Sequence, residues 1–464
     1  MPFIPHTDLE TKEMLKEVNA SSIDELFAEI PRALRAKDFN LPLGLNEMTM
    51  QKTAEQLAAK NKNLVCFLGA GSYEHHIPAA VWDIASRGEW MTAYTPYQAE
   101  ASQGTLQLLY EFQTMMAELT GMEVANASMY DGATALAEAV LMSIRLQKNL
   151  PNPKKIIVPA TLNPLYKATL NTLLSPLNIE IFTLDFAQKT GTIDINSLPD
   201  NKEGYSTLII SQPNFFGCIE KVNELTDWAH ANQMLVIGCV NPTSLGLLTP
   251  PGKWGKKGAD IVCGEGQPLG IFMASGGPYF GFLTTKLAYV RQMPGRIIGR
   301  TVDKNGKQGF TLTLQAREQH IRREKANSNI CTNQGLLVTA ATVYLSLLGP
   351  EGLKNVALAA HQNTMALVNK LAAIPGVSIP FKTPVFHEVV LTLPKSSKEV
   401  LNKLLERNIL GGYPLDADYP LFKNSILVCA TEMRTQEEIE RYSLTLESIL
   451  TTDKNNMLKE KTWN

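Results

Sequence analysis

Paired cysteines are missing from this sequence. Its six cysteines, Cys66, Cys218, Cys239, Cys263, Cys331 and Cys429, stand singly, most of them inside apolar runs such as LVIGCV and SILVCA. Without a CxxC pair neither a zinc site nor a disulfide frame is expected; buried free thiols in a reducing cytosol suit the pattern. An excess of charge of one sign is also missing. Lys and Arg number 43 against 45 Asp and Glu, a formal charge of -2, so nothing electrostatic points to nucleic acid or an anionic membrane. No uncharged apolar stretch reaches about 18 residues, and a membrane span is not expected. The opening MPFIPHTDLETKEML carries proline, histidine and acids where a signal peptide has a basic patch and an apolar core. Export is therefore not expected, and the chain reads as cytoplasmic. There is no internal repeat.

What is present is an ordinary globular balance, 44% hydrophobic and 19% charged over 464 residues, enough for two or three packed domains. Residues 1–60 hold short helical patterns broken by Pro31 and the LPLGL turn, with Ser22 placed to cap a helix and Glu25 three positions later. They read as an arm. From 61 to 330, apolar runs (KIIVPA, IEIFTLD, YSTLIISQP, MLVIGCV, DIVCGEG) alternate with helical segments such as VNELTDWAHANQ. Strand, helix, strand repetition predicts a large α/β domain with a mostly parallel sheet and helices on both faces. A Gly-rich, basic stretch near 291–325 breaks the rhythm. A long helix, NQGLLVTAATVYLSLLG, follows and ends at Gly349 and Pro350. Residues 331–464 read as a smaller α+β C-terminal domain, and the polar tail TTDKNNMLKEKTWN as loosely ordered.

Several segments carry a resemblance: MPFIPHTDLETKEML, FLGAGSYEHHIP, AYTPYQAEASQGTLQLLYEFQTMMAELTGM, NASMYDGATALAEA, GADIVCGEGQPLG, NSNICTNQGLL and VCATEMRTQEEI. In this order, over nearly the whole chain, the sequence resembles the first subunit of bacterial split glycine decarboxylases. The resemblance implies a fold-type I pyridoxal-phosphate architecture with a seven-stranded sheet and a tight dimer. It also implies the family reaction: glycine is decarboxylated, and the remaining aminomethyl group passes to the lipoyl arm of H-protein in glycine catabolism.

Decarboxylating an amino acid leaves a carbanion, so the chemistry needs pyridoxal phosphate as electron sink, a lysine for its resting imine and an acid on its pyridine nitrogen. In the catalytic subunits the lysine follows a GAD strand and precedes a GGGP turn. Counting back here from Gly276, Gly277 and Pro278 puts Gln267 in the lysine's place, and counting forward from Asp260 puts Pro268 there. Neither can form an imine. Lys253, Lys256, Lys257 and Lys286 lie outside that loop and read as solvated or interface charges. The acid should end the strand MLVIGCV, where Gly238 stands. The phosphate normally rests on a helix start, which here reads YDGATALAEA, so that Asp131 both caps the helix and repels an anion. No catalytic and no cofactor-binding residue is thus expected in this chain. The cofactor is expected on a lysine-bearing partner subunit, in an α2β2 assembly whose sites form at subunit interfaces.

Candidate contributions to the partner's site, or to the path by which glycine or the lipoyl arm reaches it, are few. Tyr94 and Tyr97, around Pro96, are two phenols at i and i+3 that would face one cavity; packing with bonded hydroxyls is the alternative. Ser72, His75 and His76 lie in the loop FLGAGSYEHHIP, where adjacent histidines without a third ligand suit interface or substrate-path hydrogen bonds, and no metal is expected. Asn163 stands where relatives often carry histidine, which removes a titrating group. The basic run with Arg317, Arg322, Arg323 and Lys325 reads as ion pairs with the partner or an anion site, with Arg323 and Asn329 as the interface candidates. Glu432 and Arg434 read first as a helix start and second as a surface near the active-site mouth. Two other functions stay open at this point: a binding protein without an enzymatic partner, and an independent pyridoxal enzyme with a lysine elsewhere.

Overall fold

The computed structural model describes residues 5–36, 40–147, 149–199 and 203–460. The chain divides into two compact units, Met1–Lys62 and Asn63–Asn464.

The first unit is built from locally capped turns. Helix Asp8–Glu17 starts at a capping box in which Thr7 Oγ1 accepts from the Glu10 N–H and the Glu10 carboxylate accepts from the Thr7 N–H. Ser22 accepts from the Glu25 N–H, but the turn it opens, Ile23–Phe27, is 3-10 rather than α. Helix Glu47–Ala58 is capped by Asn46, and none of these elements buries a side chain.

The second unit centres on a seven-stranded sheet. Its strands run, side by side, Val124–Ala125, Gly281–Thr285, Ile261–Glu265, Leu235–Val240, Tyr205–Gln212, Lys154–Pro159 and Ile179–Leu184. Pairing is parallel except on either side of Gly281–Thr285. Both faces are buried, which is why the strands are apolar throughout. Ile156, Val158, Ile209 and Ile237 pack with helix Gly132–Leu146 on one face, while Ile157, Leu208, Ile210 and Val236 pack on the other with helices Gln103–Thr120 and Val222–Ala231. Each fully buried aliphatic of this kind contributes about 1.5–3 kcal/mol. The mostly parallel sheet with helices on both faces is thus as the strand and helix rhythm implied.

The expected break at Gly349 is present: the backbone leaves helical geometry there (φ 58°, ψ −174°). Helix resumes at Pro350, a residue suited to a first turn, so the element Gly335–Ala372 is two segments meeting at a kink. Among the described residues it is the one helix long and apolar enough to cross a membrane. Fourteen of its residues are buried within this fold. The stretch that broke the rhythm is an antiparallel hairpin, Ile297–Val302 with Gln308–Thr313, closed by a turn in which the Asp303 N–H donates to Lys307 O.

C-terminal residues form a three-stranded antiparallel sheet, Glu388–Thr392, Ser425–Cys429 and Tyr413–Pro414, covered by helices Ser397–Glu406 and Gln436–Glu460. The tail expected to be loose is helical as far as Glu460; residues 461–464 lie outside the described ones. A short parallel pair, Val65–Cys66 with Ile409–Leu410, ties the start of the second unit to this module.

Candidate functional site

Helices and strands leave one cleft of about 580 Å³ outside the carboxyl ends of the parallel strands, the usual ligand position in such sheets. Its wall takes Leu162 and Asn163 after one strand, Ser211, Pro213 and Asn214 at the end of the next, then Cys239, Val240 and Asn241, then Glu265 and Pro268. His387 and Glu388 close it from the C-terminal sheet, and Gly71 and Tyr73 from the loop after Val65–Cys66. This is where the fold would hold pyridoxal phosphate.

The residues present do not fit that cofactor. Gln267 is buried and engaged at both ends of its amide: Oε1 accepts from the Tyr73 N–H at 2.8 Å, and Nε2 donates to Tyr73 O and Ile271 O at 2.9 Å each. It fastens two loops together. Pro268, the other reading of the lysine's place, lines the cleft with no donor at all. Among the described residues lining the cleft there is no lysine or arginine.

At the helix start, Asp131 Oδ1 accepts from the Thr134 N–H at 2.8 Å in a full capping box, as the sequence implied. A second acid, unforeseen, adds to it. Glu265 Oε2 accepts from the Gly132 N–H at 3.0 Å, and its Oε1 from the Gln267 N–H at 3.1 Å. Part of Glu265 faces the cleft, yet burial from bulk water dominates and pushes its carboxyl up to about 8. Burial also raises Glu388 to about 7, against the bonds it accepts from the Ala70 N–H and the Tyr73 hydroxyl at 2.6 and 2.8 Å. Burial holds His387 well below its ordinary range, and a bond of 3.2 Å joins its Nε2 to Asn241 Nδ2.

Gly238 does not face the cleft, and the expectation that placed it there is corrected. A Cβ at Gly238 would meet Trp254 and Pro251 on the opposite sheet face, the face shared with Val236. Cys239 and Asn241 reach the cleft instead. Asn241 is neutral, and its Oδ1 already accepts from the Thr243 N–H, so the conclusion drawn for Gly238, no counter-ion for a pyridinium, applies to Asn241 as well.

Tyr94 and Tyr97 do not share a cavity. Their segment is a run of turns, not a helix, so spacing of three does not align them. Tyr94 is 78% exposed. Tyr97 turns inward: its hydroxyl bonds Thr332 O and Asn333 Oδ1, and the Arg296 guanidinium stacks on its ring at 3.9 Å. Arg296 also lies 3.4 Å from Glu318. His75 is buried, with Nδ1 2.7 Å from Glu432, while His76 is exposed and gives its backbone N–H to the same carboxylate. Burial works against the Glu432 charge, but these bonds hold its carboxyl below the ordinary range. Glu432 and Arg434 thus serve as anchors for the histidine loop, Arg434 pairing with Glu74 at 2.7 Å, and the helix begins later, at Gln436. Ser72 is half-buried in the same loop. His75 and His76 border a second cleft with Ile271, Phe272, Met273 and Met433.

Arg323 and Asn329 are exposed, as are Arg322 and Lys325. Arg317 is not available to an anion: its guanidinium donates to the backbone carbonyls of Met293, Gly295 and Leu314. Lys286 is not merely solvated either, since it pairs at 2.6 Å with buried Asp260, which also accepts from His230. Asn163 caps its helix through Oδ1 and donates to Ala70 O. Sequence reasoning missed Glu265 and Glu388. The available signal was an acid at the end or start of an otherwise apolar strand, DIVCGE and HEVVLT.

Known proteins agree with this frame. The family model described as glycine cleavage system P-protein matches residues 1–446. A Legionella pneumophila (strain Corby) protein named probable glycine dehydrogenase (decarboxylating) subunit 1 is 61% identical over 452 residues, 97% of this chain and 99% of its own length. Proteins of the same name from Alcanivorax borkumensis and Coxiella burnetii (strain Dugway 5J108-111) are each 57% identical, over 97% of this chain and 100% of theirs. A crystal structure of glycine decarboxylase (P-protein) of the glycine cleavage system, in inhibitor-bound form, superposes with a TM-score of 0.89 at 42% identity, covering 97% of this chain and 100% of that one. A Burkholderia pseudomallei sphingosine-1-phosphate lyase, at 13% identity and TM-score 0.66 over 93% of this chain and 97% of that one, shares the fold alone. With the match spanning nearly its whole length, this chain belongs to the glycine cleavage system P-protein family.

Proposed function

We propose that this chain is the cofactor-free subunit of a two-subunit glycine decarboxylase. It pairs with a lysine-bearing subunit, as α2β2, in the cytosol, and the pair decarboxylates glycine and passes the aminomethyl group to the lipoyl arm of H-protein. The observation that carries the reading is Gln267: in the lysine's place stands an amide whose oxygen and nitrogen are both committed to backbone partners. Glycine chemistry comes from the family, whose similar members are named for it. The partner subunit supplies the pyridoxal phosphate.

In such an assembly the exposed Tyr94, His76, Arg323 and Asn329 are the groups of this chain free to meet the partner or the lipoyl arm. His75, Ser72 and Tyr97 shape that surface from behind.

Glycine-dependent carbon dioxide exchange with lipoylated H-protein tests the reading, using this chain alone and then mixed with the lysine-bearing subunit. Exchange only in the mixture is the expected outcome. Exchange with bound cofactor in this chain alone would make it an independent enzyme, and none in either sample would favour a binding protein.

A further inference from the structure

The missing lysine is one departure; a second lies at the helix start beside the cleft. Helix Gly132–Leu146 is fifteen residues long, and its first N–H groups are where this fold would seat a phosphate. Here the Gly132 N–H already donates to Glu265, and the Thr134 N–H to Asp131. The space is filled as well. A methyl group at Gly132 would overlap the Tyr166 hydroxyl, the Glu265 backbone and the Glu265 side chain. Burial holds the Tyr166 phenol well above its ordinary range, so at neutral pH it adds a neutral hydroxyl over the same spot.

We infer that Glu265 is a built-in substitute for the cofactor's phosphate, occupying the helix start from within the chain. It sits two residues before Gln267 and accepts the Gln267 N–H, so one short loop carries both groups. The wall polar groups are likewise satisfied from inside: Asn163 by Ala70 and Leu165, Asn241 by Thr243 and His387, Ser211 by Pro213 O. Restoring a lysine therefore does not restore a cofactor site. The helix start must be vacated too. This inference rests on the reading that the wild-type chain binds no pyridoxal phosphate.

The test uses the full-length variants Gln267→Lys, Glu265→Ser and the double variant, titrated with pyridoxal 5′-phosphate and with pyridoxal lacking the phosphate. Imine formation is followed by visible absorbance and by borohydride trapping at position 267. The double variant is expected to bind pyridoxal phosphate at least about tenfold more tightly than Gln267→Lys, equivalent to about 1.4 kcal/mol, with no such gain for pyridoxal. Equal affinity of the two for pyridoxal phosphate would overturn the inference. Binding by the wild type would instead overturn the reading beneath it.

Because Gln267→Lys discards three buried hydrogen bonds and can fail to fold, Glu265→Ser and the conservative Glu265→Gln are also assayed with inorganic phosphate alone. The expected result is a rise in Tm with phosphate in Glu265→Ser and none in the wild type. A folded Glu265→Ser whose Tm ignores phosphate refutes the occupation of a phosphate seat by the Glu265 carboxyl.

Discussion

Replacing Glu388 by glutamine should make the protein more stable at alkaline pH and leave it almost unchanged in mild acid. Glu388 is buried at the cleft wall, accepts from the Ala70 N–H and the Tyr73 hydroxyl, and titrates at about 7 instead of 4.5 because burial penalises its charge. The folded state thus holds this proton more tightly than the unfolded chain. Stability it contributes is complete below the unfolded value and is lost as pH rises through the folded one. A displacement of that size is worth about 3 kcal/mol over the whole titration, of which about 2.5 falls between about pH 5 and about pH 8. Glutamine keeps both contacts, its oxygen accepting from Ala70 and its amide donating to the Tyr73 oxygen once that hydroxyl rotates. Urea unfolding of wild type and Glu388→Gln at half-unit pH steps would show the curves diverging above about pH 4.5 and running parallel beyond about pH 8. Glu265, and Glu220, a second buried carboxyl raised to about 7 by desolvation, titrate in both proteins, so the difference isolates Glu388. A gap that does not change with pH would refute the assignment of a buried, proton-holding carboxyl.

Other outcomes follow from the same geometry. Gln267→Ala leaves the Tyr73 N–H, Tyr73 O and Ile271 O unpaired and should cost about 2–4 kcal/mol by urea denaturation; a cost under about 0.5 would deny its loop-fastening role. Tyr94→Ala, at an exposed position, should change the chain's own stability by less than about 0.5 kcal/mol while lowering carbon dioxide exchange in the mixed enzyme, and unaltered exchange would remove Tyr94 from the working surface. Gly217 has φ +80° and lies against the Glu388 carbonyl, so Gly217→Ala should lower Tm by several degrees, equivalent to at least about 2 kcal/mol; an unchanged Tm would show that the C-terminal sheet can shift away.

The sheet, its helices and the capping role of Asp131 were readable because each leaves a local trace: apolar runs of strand length, turn residues between them, and an acid three residues before a threonine. The lysine's place could be counted only to within a residue, Gln267 from the glycines and proline that follow and Pro268 from Asp260 before. The acid's place was not readable. The run LVIGCV is apolar on both faces, so no alternation marks which side chains point to the cleft, and a shift of one residue in a strand reverses the face. Gly238 fell on the Trp254 side for that reason. Tyr94 and Tyr97 were given helical spacing in a segment without helix. The hairpin at 297–313 did carry a signal, the DKNGK turn between two alternating runs, which the surrounding basic residues obscured.

The parallel pair Val65–Cys66 with Ile409–Leu410 bears on how the chain is made. A ribosome releases the first of these strands long before the second exists, and synthesis is slow beside the collapse of a domain. The loop that follows, with Tyr73, His75 and His76, hangs from that first strand and finds Gln267, Glu388 and Glu432 only as later segments emerge. The large sheet can assemble during translation. The histidine loop and the surface it presents take final form only once nearly the entire chain is free, so a subunit truncated before residue 409 would offer its partner an unfinished face.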